Sequence, residues 1–147
     1  MNIKNEFTVS SPPDEVWAAL MDLEGVAPCL PGAALTEQVG DEYRGTMSVK
    51  IGPLSAKYNG TVRYSETDEA NRRAVIEANG KDARGQGTAS AVITSTLSEE
   101  GGGTRVVVET DMKLTGRAAQ FGRGGIAQDV AGKIMARFAE CLEERVF

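Results

Sequence analysis

The chain has 147 residues, 41% of them hydrophobic and 25% charged, with a formal net charge of −5, a balance that supports one folded domain with a real core and excludes wholesale disorder. Lys and Arg are scattered along this acidic chain, so the basic footprint of a nucleic-acid binder is missing. Histidine is absent, which removes Ser-His-Asp and Cys-His nucleophile systems, His-ligated metals and His general bases, and leaves any catalysis to carboxylate, Tyr, Lys or Arg groups.

The N-terminus, Met1 to Glu6, lacks the apolar run of a signal peptide, and no stretch approaches the length of a membrane span. From Asn2 to about Ser10 the residues alternate, with Ile3, Asn5, Phe7 and Val9 on one face, which predicts a strand. Ser11-Pro12-Pro13-Asp14-Glu15 then opens a helix, with Ser11 as the expected cap and Val16, Trp17, Leu20 and Met21 at helical spacing. A shorter helical piece between Asp22 and Gly32 ends in Pro28-Cys29-Leu30-Pro31-Gly32, whose prolines force a rigid exit. Cys29 and Cys141 are too few and too isolated for a disulfide framework, and the expectation is a pair of reduced, inert thiols in a cytoplasm.

The middle of the chain reads as strand throughout. After a strand from Ala33 to Val39, Glu42 to Ile51 puts Tyr43, Gly45, Met47, Val49 and Ile51 on one face. Gly52-Pro53 turns the chain, and Leu54, Ala56, Tyr58, Gly60, Val62 and Tyr64 form the next apolar row. Such alternation marks an antiparallel sheet with one covered face. Further strands are predicted over about Arg72 to Asn79, Thr88 to Leu97 and Thr104 to Leu114, with Glu99 to Gly103 as a hairpin loop. The period then changes. Ile126, Val130, Ile134, Phe138, Leu142 and Val146 recur every four residues and predict a helix to the C-terminus, roughly 33 Å long at ~1.5 Å per residue. One strand, two short helices, six strands and a long last helix is the order of a helix-grip fold. The expected fold is therefore α+β: a single domain, residues 1–147, with a curved seven-stranded antiparallel sheet wrapped around the C-terminal helix.

Motifs that would suggest other chemistry fail on context. Gly122-Arg123-Gly124-Gly125-Ile126-Ala127 fits a dinucleotide fingerprint, but too little chain follows it for a second strand. Gly132-Lys133 lacks the rest of a phosphate loop, and Asn59-Gly60-Thr61 has no meaning as a glycosylation acceptor without secretion. No catalytic or metal-binding set is expected.

Several segments carry a resemblance that runs through essentially the whole chain. Ala27-Pro28-Cys29-Leu30-Pro31-Gly32-Ala33, Tyr43-Arg44-Gly45, Gly52 to Val62, Asp82-Ala83-Arg84-Gly85 and Gly116 to Gly124 are similar to the CoxG family of carbon monoxide dehydrogenase subunits. That family lies within the START-like (SRPBCC) helix-grip superfamily. The resemblance implies a partner, a molybdenum carbon monoxide dehydrogenase, and a role at the inner face of the cell membrane. Members often continue into a tail with a hydrophobic end; this sequence stops at Phe147, so the expectation is a peripheral protein whose membrane-interacting tail lies outside it.

The expected function is that of a non-enzymatic carrier. A respiratory chain's mobile isoprenoid quinone, menaquinone or ubiquinone, is insoluble in water, and an apolar cavity with a few polar groups suits it. The residues expected to line that cavity are Leu30, Met47, Ile51, Tyr58, Tyr64, Met112, Leu114, Phe121, Ile126, Val130 and Ile134, with Arg117 and Arg123 at its mouth. Small residues on the strands, Gly45, Ala56, Gly60, Ala89 and Ala91, favour a hollow interior over a filled one. Arg44, Lys50, Lys57 and Arg63 on the outer face are the expected docking patch for the dehydrogenase. Two other readings stay open: a membrane-recruitment adaptor with no redox ligand, and a helix-grip enzyme acting on a lipid or polyketide.

Overall fold

The fold was obtained as a computed structural model that describes residues 1–51, 54–122 and 125–147, with the side chains of 51, 54, 121 and 122 outside that description. Seven strands form one antiparallel sheet: β1 (Asn2–Val9), β2 (Ala33–Val39), β3 (Glu42–Ile51), β4 (Leu54–Asp68), β5 (Arg73–Asp82), β6 (Thr88–Glu100) and β7 (Gly103–Leu114). Their spatial order is β1-β7-β6-β5-β4-β3-β2. Consecutive strands from β2 to β7 are hairpin neighbours, and the first strand closes the far edge against the last. Helices α1 (Pro13–Leu20) and α2 (Leu23–Val26) follow β1, then a 3-10 turn at Ala27–Cys29. Helix α3 (Ile126–Cys141) continues as a π-helical turn at Leu142–Val146 and takes β1 as its main strand neighbour. This is the helix-grip arrangement that the order of the elements predicts.

The core is concentrated at one end of the grip. Val9, Val16, Trp17, Ala74, Leu97, Val106 and Val108 form a buried cluster there, with Phe7, Met135 and Phe147 packed on it. A second cluster joins Val26 and Cys29 to Phe138 and Leu142 of the C-terminal helical segment. The apolar faces of α1, of the inner strand ends and of the C-terminal half of α3 are thus spent on one another. Phe7 and Phe138 meet edge to face at 6.1 Å between ring centroids, the geometry that the ring quadrupoles favour.

Several local expectations are corrected. Ser11 does not cap α1; the cap position is Pro12, without a side-chain bond, and the amides of Glu15 and Val16 donate to the Pro12 carbonyl. Ser11 stands one residue too early and instead offers its carbonyl to the buried Thr104 hydroxyl at 2.7 Å. The loop expected from Glu99 to Gly103 shrinks to a turn at Gly101 and Gly102, because the strands pair as far as Glu100 and Gly103. The four-residue stripe fails at its last position. Val146 is exposed and Phe147 packs inward, since the wider π turn rotates the chain end past the stripe.

The largest correction concerns the cysteines. Cys29 and Cys141 are joined as a disulfide, with Cα atoms 5.4 Å apart and a sequence separation of 112. The expectation of reduced thiols follows from spacing along the chain alone. Packing of the α2 exit against the end of α3 brings the two residues into the same apolar cluster, which linear spacing cannot show. The thiol argument for a reducing cytoplasm falls with it.

Candidate functional site

Strand register sorts the concave face into transverse rows, and the rows change character along the grip. At the packed end Phe7, Val106 and Leu97 lie side by side, followed inward by Asn5, Val108, Ser95 and Ala74 and then by Ile3, Thr110, Ile93, Ile76 and Tyr64. The next row is Met112, Ala91, Ala78, Val62 and Tyr43. Beyond it stand Leu114, Ala89, Gly80, Gly60, Gly45 and Leu35, almost bare of side chains at the centre. Past that gap come Met47, Tyr58 and Asp82. Large groups at both edges of a strip of small ones leave volume between them, because neighbouring strands cannot move closer than their hydrogen bonds allow.

The α3 residues opposite show the same gradient. Phe138 and Leu142 are buried, whereas Ile126, Val130 and Ile134 are only half-buried despite being branched aliphatics. Met47, Met112, Leu114 and Val62 on the sheet are half-buried too. These side chains sit on the inner rows yet keep solvent-accessible surface, as the walls of a hollow do.

Tyr58 and Asp82 of that last row also line a pocket of about 420 Å³, which holds the expected mouth residue Arg117 and lies between β3, β4, the 82–88 turn and the 3-10 segment Gly116–Gly122. Its wall combines Val49, Ala56, Tyr58 and Ala118 with Asp82, Gln86 and Gln120, and with Lys50, Lys57, Arg84 and Arg117. The turn and the 3-10 segment are bound tightly to each other. The Arg117 amide donates to the Gln86 carbonyl at 2.6 Å, and Arg117 Nη1 donates to Gln86 Oε1 at 2.7 Å. A Cβ on Gly87 would lie 2.3 Å from the Thr115 carbonyl oxygen, and one on Gly116 2.7 Å from that of Gln86. Only glycine allows this approach, so these two residues fix where the arginine stands. A second cleft of about 580 Å³ lies along β2 beside Glu24 and Tyr43, away from this pocket.

The two tyrosines have different roles. Tyr58 is 9% exposed; burial first, and the nearby Asp82 carboxylate second, push its hydroxyl above the ordinary tyrosine range. It stays a neutral hydrogen-bond donor at the pocket wall. Tyr64 is committed to the fold: its hydroxyl donates to the Leu20 carbonyl at 2.8 Å, at the end of α1. Burial, helped by Tyr43 and Asp22, pushes its pKa up to about 12. A tyrosine whose folded pKa is raised contributes stability below its unfolded value near 10, and that contribution is lost as pH rises towards 12. Tyr64→Phe should cost about 1–2 kcal/mol at neutral pH through the orphaned carbonyl. It should also shrink the loss of stability between about pH 10 and 12, read by urea unfolding at several pH values.

Of the residues expected to bind ligand or guard the mouth, the pocket contains Tyr58 and Arg117. Met47 adjoins them on the inner row through its pairing with Tyr58. Tyr64, Met112, Leu114, Ile126, Val130 and Ile134 are not among the residues that line the pocket, and Leu30 packs on the Cys29 cluster. The side chains of Ile51 and Phe121, and Arg123 altogether, lie outside the described residues. The expected docking patch divides. Arg44 pairs with Glu37 and Glu42, and Arg63 with Glu77, while Lys50 and Lys57 border the pocket. Asp82, Arg84, Gln86 and Gln120 join the site without a signal in the strand pattern, although Asp82 to Gly85 is one of the segments that carry the family resemblance. Among the described residues no group of His, Cys, Asp and Glu is placed to hold a metal ion, and no helix is long and apolar enough to cross a membrane.

Solved structures share the fold. A conserved protein from Geobacillus kaustophilus superposes with a TM-score of 0.78 at 19% identity, over 95% of this chain and 93% of its own. A protein from Thermus thermophilus gives 0.68 at 21% identity, over 99% and 97%. The ZhuI aromatase/cyclase from a Streptomyces species gives 0.59 at 17% identity, over 99% and 97%. At such identities the likeness is one of fold. No curated protein sequence matches the chain. A family description does: residues 6–147 match CoxG, a subunit of carbon monoxide dehydrogenase, over nearly the full length and every segment that lines the pocket, and the chain belongs to that family.

Proposed function

We propose that this protein is a non-catalytic accessory subunit that carries a lipophile, an isoprenoid quinone, in the hollow of its grip and so links a carbon monoxide dehydrogenase to the membrane electron-transport chain. The family supplies the association with the dehydrogenase. The observation that supports a carrier is the contrast along the grip. One end is packed solid, and the other keeps Met47, Met112, Leu114, Ile126 and Val130 half-exposed around a floor of Gly45, Gly60, Gly80 and Ala89.

An apolar chain filling that space gains about 0.8 kcal/mol for each methylene removed from water, and methionine side chains adapt to its shape. Tyr58, at the pocket wall, has a neutral hydroxyl to offer a ring carbonyl. The direct test is organic extraction of protein purified from its own host, with the extract resolved by mass spectrometry. Quinone near one equivalent is expected. An extract without quinone from folded protein would leave recruitment of the dehydrogenase as the function.

A further inference from the structure

The two edges of the sheet are covered differently. Along β1, α3 lies close, and a Cβ on Gly132 would meet Asn5 Oδ1 at 4.0 Å. Along β2, the main helical cover is the 3-10 turn Ala27–Cys29. The cleft of about 580 Å³ runs between that turn, α2 and the strand, with Ala27, Pro28, Ala33, Ala34, Leu35 and Tyr43 on its walls. Its two carboxylates, Glu24 and Glu37, are exposed, and Glu37 is paired with Arg44.

Leu35 and Tyr43 belong to the inner rows as well. Leu35 ends the bare row that crosses the sheet through Ala89, Gly80, Gly60 and Gly45. The floor of that row cannot be filled without moving a neighbouring strand. A Cβ on Gly45 would lie 2.4 Å from the Ala34 carbonyl oxygen, and one on Gly60 2.3 Å from that of Asn79. A strip of missing side chains therefore runs across the strands from Leu114 on β7 and ends on a wall residue of the cleft. At ~4.8 Å between strands the strip is roughly 24 Å long.

From this alignment we infer that the hollow continues outward through the β2 cleft, and that the cleft takes the distal part of an isoprenoid tail while the ring stays within the grip. The inference rests on the carrier reading and adds to it a route for the tail. A respiratory quinone has a tail long enough to cross the ~30 Å hydrocarbon core of a bilayer, more than the strip holds once the ring is in place. The far end of the grip is packed solid by Val9, Trp17, Leu97 and Val106, whereas the strip leads to the cleft. Each methylene kept from water is worth roughly fourfold in affinity, so walls of Ala, Pro and Leu retain tail that solvent would expel.

The test is a loading competition. Protein stripped by organic extraction and refolded is incubated with detergent micelles holding equal amounts of ubiquinone with a single isoprene unit and decaprenyl ubiquinone. It is then repurified, and both quinones are counted by mass spectrometry. Glu24→Trp and Pro28→Trp each narrow the cleft from its helical side, outside the inner rows, and Val39→Trp adds the same side chain to β2 beyond the cleft. Circular dichroism checks that each variant is folded. The wild type should load both quinones. The two cleft variants should keep the single-unit quinone and lose decaprenyl ubiquinone by more than about tenfold, two or more methylenes being left in water. Val39→Trp should match the wild type. An unchanged decaprenyl share in both cleft variants, or equal loss of the two quinones, would overturn the route. A wild type that loads the single-unit quinone alone would overturn it too and leave the carrier standing. A wild type that loads neither would remove the carrier reading, and the route with it.

Discussion

Replacing Cys141 by Ser, or reducing the bond it makes with Cys29, lowers the unfolding free energy by about 4–5 kcal/mol, the chain-entropy expectation for a loop of over 100 residues. In thermal unfolding that is a fall on the order of 10–15 °C for a domain of this size. The size of the effect follows from what the bond connects. Cys29 leaves the α2 region near the start of the chain, Cys141 ends α3, and their sequence separation is 112, with six of the seven strands between. In the unfolded state the bond therefore closes nearly the whole sheet into one loop. The measurement is circular dichroism against temperature with and without dithiothreitol, on the wild type and on Cys29→Ser, Cys141→Ser and the double variant. The three variants should agree with one another and with the reduced wild type, since each removes the same bond. Unchanged unfolding on reduction would mean that the cysteines contribute only as buried apolar groups. The lipophile should be retained by reduced protein below its transition, because the bond sits in the packed cluster of Val26, Phe138 and Leu142.

The disulfide also marks the boundary of what is legible in the sequence. Strand alternation places Tyr43, Met47, Val49, Tyr58, Val62 and Tyr64 on one face, and the inner rows keep them together. Likewise the spacing from Ile126 to Leu142 marks the apolar stripe of the C-terminal helical segment. Both are local periodicities, set by 2.0 and 3.6 residues per repeat. What stays hidden depends on tertiary distance. Cys29 meets Cys141 only once the sheet has curved, and Asp82, Arg84 and Gln86 join Lys57 only because β4 pairs with β5. The gap between Tyr58 and Tyr64 is visible as glycines on single strands. That Gly45, Gly60 and Gly80 fall in one transverse row is a matter of register, and each strand alone leaves it undetermined. Tyr64 shows the converse. Its place on the inner face is readable, but a bond to the Leu20 carbonyl, set by where α1 ends, takes its hydroxyl proton away from any ligand.

A carboxylate placed in the wall of the hollow should abolish lipophile binding without unfolding the protein, and Val130→Glu is the cleanest case. Val130 lies on the N-terminal half of α3, half-buried and clear of both packed clusters. Glutamate is a good helix former, so the helix itself loses little. With a chain of methylenes filling the hollow the new carboxylate is dehydrated and unpaired, which costs several kcal/mol. Empty and wet, the same hollow solvates it. The variant therefore favours the unloaded state by that difference, enough for a drop of more than about a hundredfold in affinity. The pH dependence gives the mechanism away. Dehydration raises a carboxyl pKa, so protonation restores a neutral wall as pH falls through the raised value. Quinone content measured by extraction should be near zero at about pH 8 and partly recover near pH 5, while the wild type shows no such step. Met47→Glu should behave more severely, because Met47 pairs with Tyr58, whose neighbour on the next strand is Asp82, and two carboxylates on one inner row repel. A folded Val130→Glu protein that carried quinone at the wild-type level under the alkaline condition would remove the hollow from consideration as the ligand site. The cleft along β2 beside Tyr43 would then be the next place to look.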